Sequence, residues 1–106
     1  YNNLALCYES AGRTDSAEQA YKAGLAIDPK DAGCRVNYGL MLARLDRTDE
    51  ATAQLGVVLK GSEVNYNLGS VCEQAGKKEQ ARAYYEKALK LDPNLTDARS
   101  RLARLK

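Results

Sequence analysis

Residues 67–93 read NLGSVCEQAGKKEQARAYYEKALKLDP, and residues 3–29 read NLALCYESAGRTDSAEQAYKAGLAIDP. Laid one under the other without a gap, the two stretches share Asn-Leu, Glu-x-Ala-Gly, Ala-x-x-x-Tyr, a Leu and Asp-Pro in the same columns, at an offset of 64 residues. A degenerate copy lies between them. From Asn37 the chain reads NYGLMLARLDRTDEATAQLGVVLKGSE, and a shift of 34 matches it to the first copy through Asn37, Leu40, Arg47-Thr48-Asp49, Ala51 and Leu59. The second period is then 30 residues. Repetition on this scale signals a stacked array, each unit too small to bury its apolar face alone.

Each unit reads as two helices. Tyr1, Leu4, Ala5 and Tyr8 fall at i, i+3, i+4 and i+7, one helical face. Ala11-Gly12 closes that helix, because glycine adopts the left-handed conformation at little steric cost. Thr14 is a candidate N-cap for the next helix, with Asp15 in its first turn. Ala17, Tyr21 and Gly24 form the second apolar face, and Asp28-Pro29 ends it. Leu68, Gly69, Cys72, Ala75-Gly76, Ala81, Tyr85, Ala88 and Asp92-Pro93 repeat the sequence of events. The spacing predicts seven helices near 1–11, 14–27, 31–45, 48–60, 63–75, 78–91 and 95–105, with no strand. Between units two and three only Lys60-Gly61-Ser62-Glu63 remains of the connection, with Gly61 suited to a helix C′ and Ser62 to an N-cap. This shortening is either neutral drift in a loop or a local change of superhelix pitch. After Pro93, residues 95–106 read as a capping helix, with Leu95, Ala98, Leu102 and Leu105 facing inward and Arg99, Arg101, Arg104 and Lys106 solvated.

Small residues alternate with large ones at the expected contacts. Ala5, Gly39 and Gly69 allow a neighbouring backbone to approach, while Tyr8, Tyr21 and Tyr85 fill the space beside it. With these residues in place, the sequence resembles the tetratricopeptide repeat (TPR) family, whose W-x2-L-G-x2-Y…A-x3-F…P pattern is a helix–turn–helix of about 34 residues. Tyr1, Leu4, Ala5, Tyr8, Ala17, Tyr21 and Pro29 fit that pattern, as do Leu68, Gly69, Ala81, Tyr85 and Pro93. The middle unit keeps Gly39 and Ala51 but has Arg35, Tyr38, Leu42 and Leu55 elsewhere and no proline. The resemblance implies an all-α solenoid in one domain over residues 1–106. Three helix–turn–helix repeats would span about 1–31, 32–61 and 62–95, with a capping helix at 95–106.

Composition bounds the function. The chain has 106 residues, 44% hydrophobic and 28% charged, with a net charge of +2, a soluble globular mix. Near-neutrality gives no strong pull toward nucleic acid or an anionic membrane. No apolar run approaches the roughly 18 residues of a membrane span. Tyr1 is not an initiator, so the chain reads as a piece of something longer, and its compartment is left open. With no histidine, no His-based triad, general base or metal ligand can form. Cys7, Cys34 and Cys72 are an odd number without C-x-x-C spacing, and read as small buried hydrophobes. Lys77-Lys78-Glu79 reads as a solvated turn. The expectation is a non-enzyme without cofactor or metal.

What remains is a surface. Asn3, Asn37 and Asn67 are the one polar residue shared by all three units. In the family resembled, first helices line a concave groove and an Asn at this site is common. An amide both donates and accepts, so it could hold a ligand's backbone; equally, it could bond an adjacent helix. Helical spacing puts Leu6 and Ser10 beside Asn3, Leu40 and Arg44 beside Asn37, and Ser70 and Gln74 beside Asn67. Asn2, Val36 and Tyr66 lie next to them, and Arg101 and Arg104 share a face of the terminal segment. The family's well-known clamp for a peptide's terminal carboxylates is disfavoured. Only Asn37 matches it, while Asn2, Leu6, Glu63 and Asn67 stand where that clamp has Lys, Asn, Lys and Arg. Two functional readings follow: a scaffold binding a partner's peptide segment in the groove, or a structural or self-associating module of a larger protein, such as a bacterial assembly or secretion accessory. In the second, an exposed repeat end would support a homo-oligomer.

Overall fold

The computed structural model describes residues 1–105, and Lys106, with its expected solvation, lies outside them. Seven helices follow in order: α1 (Asn2–Ser10), α2 (Thr14–Ile27), α3 (Ala32–Arg44), α4 (Thr48–Val58), α5 (Gly61–Gln74), α6 (Lys78–Leu91) and α7 (Thr96–Leu105). There is no strand among the described residues. Each odd helix packs antiparallel on the even helix after it, and α7 covers the end of α6. The result is an all-α solenoid, 39 × 26 × 20 Å.

The turns within the pairs are built alike. Gly12 and Gly76 have φ of 76° and 80°, and the N–H of the following residue donates back to the last helical turn. These bonds are Arg13 N to Tyr8 O at 2.8 Å and Lys77 N to Cys72 O at 2.8 Å, and they satisfy carbonyls that the helix end would orphan. The middle unit makes the same turn, Arg47 N to Leu42 O at 2.9 Å, with Asp46 at φ 62° in the glycine's place. Thr14 is not the N-cap expected of it. It already lies in α2, and Arg13 occupies the cap without a side-chain bond. The turn is so tight that the residue closing α1 must also open α2.

The connections between pairs follow a second pattern. Asp28 and Asp92 end their helices in extended geometry, and each carboxylate accepts from the N–H two residues on. Pro29 O accepts from Arg35 Nε at 2.8 Å, and Pro93 O from Arg99. The shortened connection differs from its expected form. Leu59 ends α4 and Lys60 starts α5, both extended, so Gly61 is already helical and Ser62 is buried rather than capping. Glu63 supplies the cap, its Oε1 accepting from Lys60 N at 3.1 Å.

Close approach occurs where the small residues stand. A Cβ on Gly39 would lie 2.7 Å from Leu55 Cγ, and one on Gly69 would lie 2.7 Å from Tyr85 Cε1. Ala5, Ala17, Tyr21, Leu55, Ala81 and Tyr85 are wholly buried. In α7, Ala98 and Leu102 are buried and Leu95 and Leu105 pack against the same cluster, as the pattern predicts. Other expectations fail. Tyr1 and Leu4 are 60% and 45% exposed, because no helix covers that side of α1 in the described residues. Cys34 is buried and Cys72 half-buried, but Cys7 is exposed for the same reason.

Candidate binding face

The first helices α1, α3 and α5 touch one another in turn, and α2 and α4 each also pack on the first helix of the next repeat. The face shared by the three first helices, the inner face, is the candidate binding face. Along this face Asn3, Leu6, Arg44 and Gln74 are exposed, and Asn2, Val36, Asn37, Leu40, Tyr66, Asn67 and Ser70 are partly so. Side chains fix the spacing of the helices. Asn37 Nδ2 donates to Asn2 Oδ1 at 3.1 Å, joining α3 to α1. Asn67 Nδ2 instead donates back to Glu63 O at 2.8 Å within its own helix. The recurrent asparagines therefore do different things, and of the three only Asn37 is seen to bridge helices.

The basic residues are engaged rather than free. Arg44 of α3 pairs with Glu9 of α1, which also accepts the Tyr21 hydroxyl at 2.9 Å. Arg104 of α7 bonds Glu73 of α5 at 2.8 Å, and Glu73 also accepts the Tyr85 hydroxyl at 2.7 Å. Arg101 lies 3.6 Å from Glu73, with its guanidinium 5.5 Å from the Tyr66 ring centre. The expectation that Arg101 and Arg104 are plain solvated surface is thus corrected: a carboxylate on the preceding first helix holds both. Lys77 is likewise no simple solvated turn, since its Nζ bonds Asp46 at 2.6 Å.

These carboxylates form latches that sequence reasoning did not single out. In each, a glutamate near the end of a first helix ties its own repeat's tyrosine to an arginine of the next first helix. Their signal was present, because Glu9 and Glu73 share the Glu-x-Ala-Gly column and Tyr21 and Tyr85 the Ala-x-x-x-Tyr column. The Tyr85 hydroxyl and then the arginines hold Glu73 below the usual carboxylate range. Burial and the Glu73 bond push the Tyr85 phenol up to about 12. The first junction carries a further network. Tyr38 stacks on Tyr21 at 5.4 Å, and its hydroxyl donates to Glu18 at 2.6 Å. Arg47 donates to the same carboxylate at 2.9 and 3.1 Å and holds it below its ordinary range.

This architecture is that of a helical-repeat interaction module. Tetratricopeptide repeat family models match residues 1–31 and 62–95, together more than half of the chain, and the protein belongs to that family. The type IV pilus assembly protein PilF of Pseudomonas aeruginosa is 33% identical over 97 residues, covering 86% of this chain and 38% of PilF. A solved structure of P. aeruginosa PilF superposes with a TM-score of 0.67 at 31% identity, over 98% of this chain and 50% of that one. The chain thus spans half or less of the length of these relatives. MamA shares the fold alone, with a TM-score of 0.58 at 23% identity, over 96% of this chain and 62% of that one. A mouse protein O-mannosyl-transferase, TMTC4, is 36% identical over 50 residues, which is 47% of this chain and 7% of the enzyme. Among the described residues no helix is long and apolar enough to cross a membrane.

Proposed function

We propose that this protein is a non-catalytic scaffold whose inner face holds a segment of a partner protein. The observation that carries this reading is the row of close-packed first helices whose facing side chains are left open. Asn3, Leu6, Leu40, Ser70 and Gln74 offer amides, a hydroxyl and aliphatic surface without a fixed charge. Asn37 adds an amide carbonyl beside its bond to Asn2. Such a surface suits an extended or helical segment recognised through its backbone and apolar side chains. The arginines flank it, but their charges are partly spent on Glu9 and Glu73. Salt should therefore weaken binding only modestly. The likeness to PilF is compatible with a place in an assembly machinery, where a scaffold of this kind would act on a protein partner.

Asn3 and Leu6 are the cleanest reporters, because both are exposed and neither contributes to the buried core. For a peptide selected on the protein from a display library, Asn3→Ala is expected to weaken binding several-fold. That corresponds to about 1 kcal/mol, the net scale of a neutral hydrogen bond. Its unfolding free energy should stay within about ±0.5 kcal/mol of the parent's, the range of ordinary surface changes. Asn37→Ala should lower both quantities, since it also removes the bond to Asn2. Unchanged affinity in Asn3→Ala and Leu6→Ala together would retire the inner-face reading. Exposed Tyr1 and Leu4 favour a second reading, self-association through the outer side of α1. Concentration-dependent light scattering separates the two.

A further inference from the structure

The junction between the second and third repeats lacks what holds the other junctions together. At the positions of Glu9, Tyr21 and Arg44 in the first latch, the second junction has Ala43, Leu55 and Gln74. At the positions of Glu18 and Tyr38 it has Thr52 and Leu68. Every one of these replacements is smaller or loses charge. The side-chain bridge that remains is Lys77 to Asp46, at the exposed rim. A cavity of about 290 Å³ lies at this junction, between the α3–α4 and α5–α6 turns. Ala43, Leu68 and Gln74, three of the replaced positions, line it.

Its walls define what it can hold. Leu68, Val71, Ala75 and the ring of Tyr84 give apolar surface, while Thr48 and Gln80 supply uncharged polar groups. The charged groups at the edge are already matched, Arg44 to Glu9 and Lys77 to Asp46. A charged ligand would have to break one of these pairs, and burying it unpaired would be costly. Burial also pushes the nearby Cys72 thiol upward, so it stays neutral. The volume is about twice that of an apolar cavity of roughly 150 Å³ known to take benzene. Arg44, Asp46, Gln74 and Ala75 at the mouth are exposed, so a chain could enter from the edge of the array.

We infer that this junction cavity is an anchor site for one bulky, uncharged side chain, aromatic or branched aliphatic, of a partner protein segment. It shares Arg44 and Gln74 with the end of the inner face, but does not depend on the inner-face reading. The anchor supplies from outside the volume that Tyr38 supplies at the first junction. Titration of ¹⁵N-labelled protein with N-acetyl-tryptophanamide and N-acetyl-leucinamide tests it. Saturable amide shifts are expected at Ala43, Val71, Ala75 and Gln80 at millimolar concentrations, with none from N-acetyl-aspartate. A blocked pentapeptide with tryptophan at its centre should bind at least as tightly as the single residue. Leu68→Tyr combined with Thr52→Glu rebuilds the first junction's ring and acceptor, and should weaken binding at least tenfold. Should that variant fail to fold, Ala43→Leu obstructs the same space and should have the same effect. Asn3→Ala, which reports on the inner face, should leave this titration unchanged. Absence of saturable shifts, or an undiminished titration in a folded, obstructed variant, would overturn the assignment. A pentapeptide that does not bind where the single residue does would overturn its protein-segment part.

Discussion

Tyr85→Ala is expected to destabilise the protein by roughly 3–5 kcal/mol, the range for truncating a large buried aromatic. Tyr85 has no exposed surface, lies against the bare Cα of Gly69, and has its ring centre 5.8 Å from that of Tyr66. Removing the ring leaves a void between α5 and α6 that Gly69, with no side chain, cannot fill. It also frees Glu73, whose carboxylate otherwise joins Tyr85 to Arg104. For domains whose total stability is about 5–15 kcal/mol, the loss is a large fraction. Tyr85→Phe keeps the packing and removes the hydroxyl alone, so it should cost about 1 kcal/mol. A thermal melt unchanged by Tyr85→Ala would mean that the repeat register is wrong.

Leu55→Ala should cost about 2–5 kcal/mol, the span observed for buried leucines. Leu55 occupies the tyrosine position of the degenerate repeat and is wholly buried, close over Gly39. Its neighbours Ala51 and Gly39 are small, so the site collapses poorly and the upper half of the range is expected. Ile27→Ala is the control. Ile27 is 74% exposed at the end of α2, and its truncation should stay within about 0.5 kcal/mol. A denaturant midpoint that falls equally for both would contradict the placement of the core.

The helices and their register were legible because two near-complete copies of the repeat share one chain. Gly39 and Gly69 could be assigned to close helix contact from their columns alone, and Leu55 and Tyr85 are the groups that meet them. The caps were less legible. Thr14 and Ser62 have the right chemistry, but turns of this tightness move the cap one or two residues back, to Arg13 and Lys60. The charged residues were read least well. Composition and helical spacing show that Arg44, Arg101 and Arg104 lie on a face, but they do not show that Glu9 or Glu73 lies within reach. Those contacts join residues 28 to 35 positions apart, so they exist only once the repeats are stacked. The cavity is a further step removed, because three replaced positions, Ala43, Leu68 and Gln74, meet around it only in the stacked array.

The inner-face account is tested most directly by mapping backbone-amide shifts on ¹⁵N-labelled protein saturated with a library-selected peptide. The account predicts shifts running from α1 through α3 to α5, centred on Asn3, Leu6, Asn37, Leu40 and Ser70. Shifts at the α3–α4 and α5–α6 turns are expected as well where the peptide carries a bulky uncharged anchor. Shifts confined to α2, α4 and α6, with α1, α3 and α5 silent along their facing residues, would contradict it.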